Sequence, residues 1–167
     1  MTELVVHADK TENIGAFNNI EYMLQCLQEE KILDVDEVIR AKSLIQKDDL
    51  DHVSEIVAGI KNVKKFEILK IYAGAFGVNA FENFESQVLL QGQTISELAK
   101  LMPEAVARRY HVIPIGVSDD KTEISIAMCN PMDVEIVDSI SYIMKKNVAW
   151  CITSREEIKR ILDLMYT

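Results

Sequence analysis

The sequence predicts an α+β protein, in which a helical N-terminal subdomain precedes a small three-stranded sheet packed with two long helices. Apolar residues recur at helical spacing in the first half, alternate in short β-rich runs after Arg109, and return to helical spacing in two later segments. We therefore expect a flexible arm over residues 1–16, a helical subdomain with a connecting segment over residues 17–94, and an α+β subdomain over residues 95–167.

Four helices are expected in the first half. Asp34 is followed three residues later by Glu37, a capping-box pattern that predicts the start of the second helix. A short third helix is expected to end at Gly59 and a fourth at Gly77, because glycine readily adopts the left-handed conformation that closes a helix.

The second half contains the predicted strands, over residues 111–117, 123–128 and 148–153. Pro114 has no backbone N–H to donate, so the first strand should lie at a sheet edge or contain a bulge. Pro103 suits the beginning of a short helix. The two long helices are expected to begin after Asp133, a good N-cap, and after Ser154, which forms a capping box with Glu157.

Charge and composition restrict the partners and the compartment. The formal net charge of -9 disfavours nucleic acid and direct docking on anionic lipid, because phosphates attract basic surfaces. Cys26, Cys129 and Cys151 lie far apart in apolar stretches, which predicts buried, reduced thiols. With no signal peptide and no apolar run of about 18 residues, we expect a cytoplasmic protein that reaches a membrane only through a partner.

Motifs for catalysis are not found in the sequence. The six glycines are scattered and form neither a phosphate-binding loop nor a dinucleotide fingerprint. His7, His52 and His111 are not paired at metal-ligand spacing. We therefore expect no enzyme activity, no catalytic residue, no metal and no cofactor.

Two groups of residues are candidates for binding, and the sequence leaves a structural alternative open for each. Phe17, Tyr22 and Met23 could form an exposed apolar stripe for a partner, or they could belong to the core. Arg108 and Arg109 could bind an anion, or they could complement the negative end of a helix.

Three segments together carry a family resemblance. Residues 101–116 run from Pro-Glu-Ala-Val-Ala-Arg-Arg-Tyr into Val-Ile-Pro-Ile, residues 124–138 close a strand on Asn-Pro-Met-Asp, and residues 152–162 contain Ser-Arg-Glu-Glu-Ile. In this order and spacing, residues 95–166 resemble the N-terminal domain of the type II secretion and type IV pilus assembly ATPases. Upstream, the similarity is limited to the outline of the helices.

The resemblance implies a non-catalytic domain that joins the ATPase motor domain to the cytoplasmic domain of an inner-membrane secretion or pilus platform protein. It also implies a cytoplasmic location, peripheral to the inner membrane through that partner. The sequence ends at Thr167, before any ATPase domain. A free-standing adaptor with the same fold is therefore an alternative to a domain of a larger motor.

A second alternative is a cyclic di-GMP sensor, because one branch of the family binds this ligand through paired motifs with Arg-Leu-Gly, a later Gly and a terminal Gln. Here Gly59 and Ile60 match the second copy, but Arg-Leu-Gly does not occur, Lys31 replaces the glycine of the first copy, and Ala75 falls at the glutamine position. These departures remove positive charge and backbone access that two phosphates need. The candidate ligand residues are Gly59, Ile60, Arg108 and Arg109.

Overall fold

A computed structural model describes residues 19–46, 50–88, 92–130 and 133–167, and the chain divides into two compact units after Asn79. The predicted arm over residues 1–16 lies outside the described residues. Each unit has its own hydrophobic core.

The described part of the first unit contains four helices: α1 Asn19–Glu29, α2 Val35–Leu44, α3 Leu50–Lys61 and α4 Lys65–Phe76. Helices α1, α3 and α4 each bury a stripe of apolar residues spaced three or four apart, which is why this part of the sequence folds as packed helices. The fully buried side chains include Leu24, Leu27, Val53, Val57, Ile68 and Tyr72.

The ends of these helices test the predicted caps. The Asp34–Glu37 capping box is confirmed, since the Asp34 carboxylate accepts a hydrogen bond of 2.8 Å from the Glu37 N–H and the Glu37 carboxylate accepts one from the Asp34 N–H. Gly77 ends α4 in the left-handed conformation with φ of 67°, also as predicted. The predicted end at Gly59 is wrong, because α3 continues through it and the left-handed residue that follows the helix is Asn62, with φ of 55°.

The second unit confirms the α+β class. Its helices and strands are α5 Phe84–Gln87, α6 Ile95–Ala99, α7 Glu104–Tyr110, β1 Ile113–Val117, β2 Glu123–Met128, α8 Val134–Met144, β3 Asn147–Ile152 and α9 Arg155–Met165. The sheet order is β1-β2-β3, with β1 antiparallel and β3 parallel to β2. As predicted from Pro114, β1 is an edge strand, and its register shifts between Pro114 and Gly116.

Residues 80–88 pack into the second unit, although the sequence analysis placed them in the connecting segment of the helical half. The Phe81 N–H donates a hydrogen bond of 3.0 Å to the carbonyl oxygen of Ile152 at the end of β3. The rings of Phe81 and Phe84 lie with their centroids 6.3 Å apart in the core. The core therefore extends from this segment across the sheet to α9.

The predicted caps of the two long helices are only partly correct. Asp133 occupies the N-cap position of α8, but its side chain makes no capping hydrogen bond. The Ser154 hydroxyl accepts from the Glu157 N–H at 3.1 Å and caps α9. The Glu157 carboxylate instead accepts from the Phe84 N–H at 3.3 Å and pairs with Arg160, because it is buried beside α5.

All three cysteines lie in the described ranges and form no disulfide; Cys26 is buried as predicted, whereas Cys129 and Cys151 are half-buried. Burial still raises the pKa of the Cys151 thiol, to about 12. None of the helices in the described ranges is both long and apolar enough to cross a lipid bilayer.

Candidate functional site

A groove of about 760 Å³ lies between α1 and α4 in the first unit. Residues spaced one and two turns apart on each helix line it, so each helix offers one face. The wall from α1 and the residue after it includes Tyr22, Cys26, Glu29 and Glu30, and the wall from α4 includes Glu67, Lys70, Ile71, Gly74 and Ala75.

Among the lining residues, Tyr22, Cys26 and Ile71 are uncharged and buried or half-buried, and we call them the floor of the groove. The half-buried Tyr22 ring meets Phe76 edge-to-face, with centroids 6.0 Å apart and planes at 73°. Burial, and then the neighbouring Cys26 thiol, raises the pKa of Tyr22 to about 12. Tyr72 lies outside the groove lining, in the core of the unit; burial also raises its pKa, and its hydroxyl finds no hydrogen-bond partner among the described residues. Both phenols are therefore neutral at physiological pH.

The rim of the groove is negatively charged. Among the described lining residues, Glu29, Glu30 and Glu67 are acidic and exposed, and Lys70 is basic. The Lys70 ammonium lies 3.9 Å from the Glu67 carboxylate, which offsets part of that charge. Helix α1 has no basic residue in its last turn, so the negative end of its dipole adds to the two carboxylates there. The rim therefore favours cationic groups and disfavours phosphates.

Gly74 leaves part of one wall open. It lies in the interior of α4, is exposed, and a Cβ atom at this position would meet no heavy atom within 4 Å. Glycine in a helix interior destabilises it by roughly 0.5–1 kcal/mol relative to alanine. Neither packing nor a positive φ within this unit requires glycine here.

The predicted apolar stripe does not form one exposed surface. Met23 is 1% exposed and belongs to the core, which was the alternative that the sequence left open. Tyr22 lines the groove. Phe17 lies outside the described residues.

The candidate ligand residues of α3 lie outside the groove lining. Gly59 is exposed in the interior of the helix, with nothing within 4 Å of its Cβ position, and Ile60 is half-buried. Since Gly59 neither closes the helix nor permits a close contact within the unit, the structure gives it no local role.

The candidate arginines belong to the second unit and are engaged within it. The Arg108 guanidinium pairs with the carboxylates of Glu104 at 2.8 Å and Asp163 at 3.1 Å. Arg109 lies over the ring of Tyr110, 5.3 Å from its centroid. The charge of Arg108 is thus offset locally by two carboxylates, as its position in the last turn of α7 favours.

Sequence reasoning missed the groove residues Glu29, Glu30, Glu67 and Gly74. Two signals could have drawn attention to them. Acidic residues at the C-terminal end of α1 oppose the helix dipole, and an isolated glycine interrupts the helical pattern of α4.

Comparison with known proteins is informative on both family and fold. Residues 87–167 match the MshEN domain family. The chain is similar in fold to a solved structure of MshE with cdg, with a TM-score of 0.67 and 17% identity, covering 86% of this chain and 98% of that chain. It is also similar to the N-terminal domain of XpsE, with a TM-score of 0.53 and 16% identity, covering 89% and 97%. No curated protein sequence matches the chain.

These matches confirm the resemblance seen in residues 95–166. The chain is similar in fold to these solved structures of MshE and of the XpsE N-terminal domain, and its residues 87–167 match the MshEN domain family.

Proposed function

We propose that this chain is a non-catalytic N-terminal domain that docks a type II secretion or type IV pilus assembly ATPase on the cytoplasmic domain of an inner-membrane platform protein. The observation that carries this proposal is the match of residues 87–167 to the MshEN domain family, together with a fold similar to those of MshE and the XpsE N-terminal domain. The domain would act in the cytoplasm, peripheral to the membrane through its partner.

The chemistry of the chain supports binding rather than catalysis. The sequence has no phosphate-binding loop with which to hold ATP. The groove between α1 and α4 offers an uncharged floor and an acidic rim, which suits recognition of a polypeptide surface.

A second candidate function is sensing of cyclic di-GMP, favoured by the similarity to MshE solved with cdg. The charged side chains of this chain argue against binding of cyclic di-GMP. Glu29, Glu30 and Glu67 would repel the two phosphates, and the guanidinium of Arg108 is already paired with carboxylates. Docking is therefore the function that the observations support best.

Two measurements on the purified chain test the proposal. Titration calorimetry with the cytoplasmic domain of the platform protein should show saturable binding. Thermal denaturation with excess cyclic di-GMP, and with ATP as a control, should leave the melting temperature unchanged. A ligand at about 100 times its Kd would add about 2.7 kcal/mol of stability, enough to raise the melting temperature by several degrees.

The outcomes separate the candidates. Binding of the platform domain without a nucleotide effect supports docking. A rise in melting temperature with cyclic di-GMP alone would replace docking with second-messenger sensing. Stabilisation by ATP would contradict both, since it would place a nucleotide site in a chain with no phosphate-binding loop.

A further inference from the structure

The groove between α1 and α4 combines an excess of acidic groups at its rim with an open position at Gly74, and these two features indicate a particular kind of partner. We infer that it binds a basic amphipathic helix of the partner protein, with lysine or arginine side chains at the acidic rim and small apolar residues against the floor. This inference rests on the proposed docking function, because it names the part of the partner that is recognised.

The dimensions of the groove fit a helix. On each wall the lining residues extend over about seven positions, from Tyr22 to Glu29 and from Glu67 to Gly74. Seven residues of a helix rise about 10 Å, so each wall presents about two turns. A partner helix laid in such a groove uses side chains spaced three, four and seven residues apart.

The rim specifies the charge of the occupant. Glu29 and Glu30 lie at the C-terminal end of α1, where acidic groups oppose the helix dipole and weaken the isolated helix. Glu67 faces them from α4 across the groove. Lysine or arginine side chains of a partner would meet Glu29 and Glu30 beside the negative end of the α1 dipole, and Glu67 in the first turn of α4 opposite them.

The walls specify the shape of the occupant. Gly74 is exposed in a helix interior, and no contact within the unit explains it. A glycine at such a position lets another backbone approach closely. The floor nearby is formed by Tyr22, Cys26 and Ile71, an aromatic and apolar surface suited to the centre of an interface.

The probes that test this inference are two labelled helical peptides of about 18 residues, close to five turns. Both carry the same face of alanine and leucine, and their polar faces are lysine and arginine in one and glutamate in the other. Fluorescence anisotropy with the whole chain should show saturable binding of the basic peptide only. Absence of binding by the basic peptide, or equal binding of the acidic one, would overturn the inference.

The first pair of variants separates specific recognition from general attraction to an acidic protein. E29Q/E30Q/E67Q removes the rim charges, and the control removes three exposed charges of the same unit outside the groove, as E21Q/D36N/E55Q. The rim variant should weaken binding of the basic peptide about tenfold, and the control less than about threefold. Equal weakening in both variants would show that binding depends only on the net charge of the protein, and would contradict a site in the groove.

A second pair tests shape independently of charge. Gly74→Leu would fill the groove wall, whereas Gly59→Leu adds the same side chain to an equally open position in α3, outside the groove. Leucine is a good helix former, so both variants should fold, which circular dichroism would verify. Only Gly74→Leu should weaken binding, by about tenfold or more. If it binds like the wild type, the groove is not the site.

The same variants distinguish this inference from the docking function itself. A platform domain that binds the wild type and E29Q/E30Q/E67Q equally would leave docking intact and contradict the groove as its site. A wild-type chain that binds the basic peptide but not the platform domain would contradict docking on that protein while the groove inference stands.

Discussion

The Thr153 hydroxyl donates a hydrogen bond of 2.8 Å to the carbonyl oxygen of Phe81, and both residues are buried. Thr153 joins β3 to α9, while Phe81 belongs to the segment that leads into α5. The adjacent Phe81 N–H donates to the Ile152 carbonyl, so this segment is held by the backbone and a side chain together. The start of the second unit is thereby tied to the end of its sheet.

Replacing Thr153 by valine should lower the free energy of unfolding by about 1–3 kcal/mol, because the shape is kept but the Phe81 carbonyl oxygen loses a buried donor. Urea unfolding followed by the fluorescence of Trp150, the one tryptophan of the sequence, measures this change. Thr153→Ser keeps the hydroxyl and serves as the control. A valine variant as stable as the wild type would show that this hydrogen bond contributes nothing.

The ion pair of Glu85 with Arg160 should make a small, pH-dependent contribution. Two N–H groups of the guanidinium donate to the two carboxylate oxygens at 2.8 and 2.7 Å, but both side chains are more than 40% exposed. A double-mutant cycle with Glu85→Ala and Arg160→Ala should therefore give a coupling of about 0.2–1 kcal/mol at neutral pH and low salt.

The pH dependence of that coupling follows from the same contact. The hydrogen bonds from Arg160 lower the pKa of Glu85 below its ordinary value of 4.5. The stability that the ionised Glu85 contributes is therefore present above the pKa that its carboxyl has in the unfolded chain. It is lost as pH falls through the lower pKa of Glu85 in the folded chain. Repeating the cycle at about pH 3 and below should give a smaller coupling. A coupling unchanged by acid would indicate packing rather than charge.

Alanine at Gly74, and separately at Gly59, should raise the free energy of unfolding by about 0.5–1 kcal/mol each. Both glycines lie in helix interiors with open space around the Cβ position, so alanine gains helix propensity without a clash. Urea unfolding of each variant measures the gain. A loss of stability in Gly74→Ala alone would show that the first unit itself requires this glycine, and would remove one argument for the groove.

Ionisation of Tyr22 should lower the free energy of unfolding at alkaline pH. Its pKa is raised from 10.0 to about 12 in the folded chain, so the unfolded chain releases the phenolic proton first. The stabilising effect of the protonated phenol is complete below about pH 10 and is lost as pH rises through about 12. Tyr22→Phe should therefore show a shallower decline of unfolding free energy across that range.

An exposed tyrosine provides the control for that stability measurement. Tyr142, on α8, is 86% exposed, and Tyr142→Phe removes one phenol without opening the core. Ultraviolet absorbance of the phenolate should show that Tyr22→Phe removes a transition near pH 12. If Tyr22 ionises near pH 10, its ring is not packed against Phe76 in solution.

Much of the fold could be predicted from short stretches of sequence. The capping box of Asp34 and Glu37, the left-handed Gly77 and the edge strand with Pro114 all depend on hydrogen bonds or backbone preferences within a few residues. Gly59 shows the limit of this reasoning. Glycine permits a helix to end but does not require it, and α3 ends at the following left-handed Asn62 instead.

By itself, the sequence determined the class of the fold, the positions of most helices and strands, and the family resemblance of the second half. Only the tertiary structure decided that Glu30 and Glu67 share one groove and that Phe81 meets Thr153. Helix caps and turns are set by directional hydrogen bonds between near neighbours. Contacts between distant segments depend on hydrophobic burial, which is non-directional. An apolar pattern in the sequence therefore does not predict which distant residues come into contact.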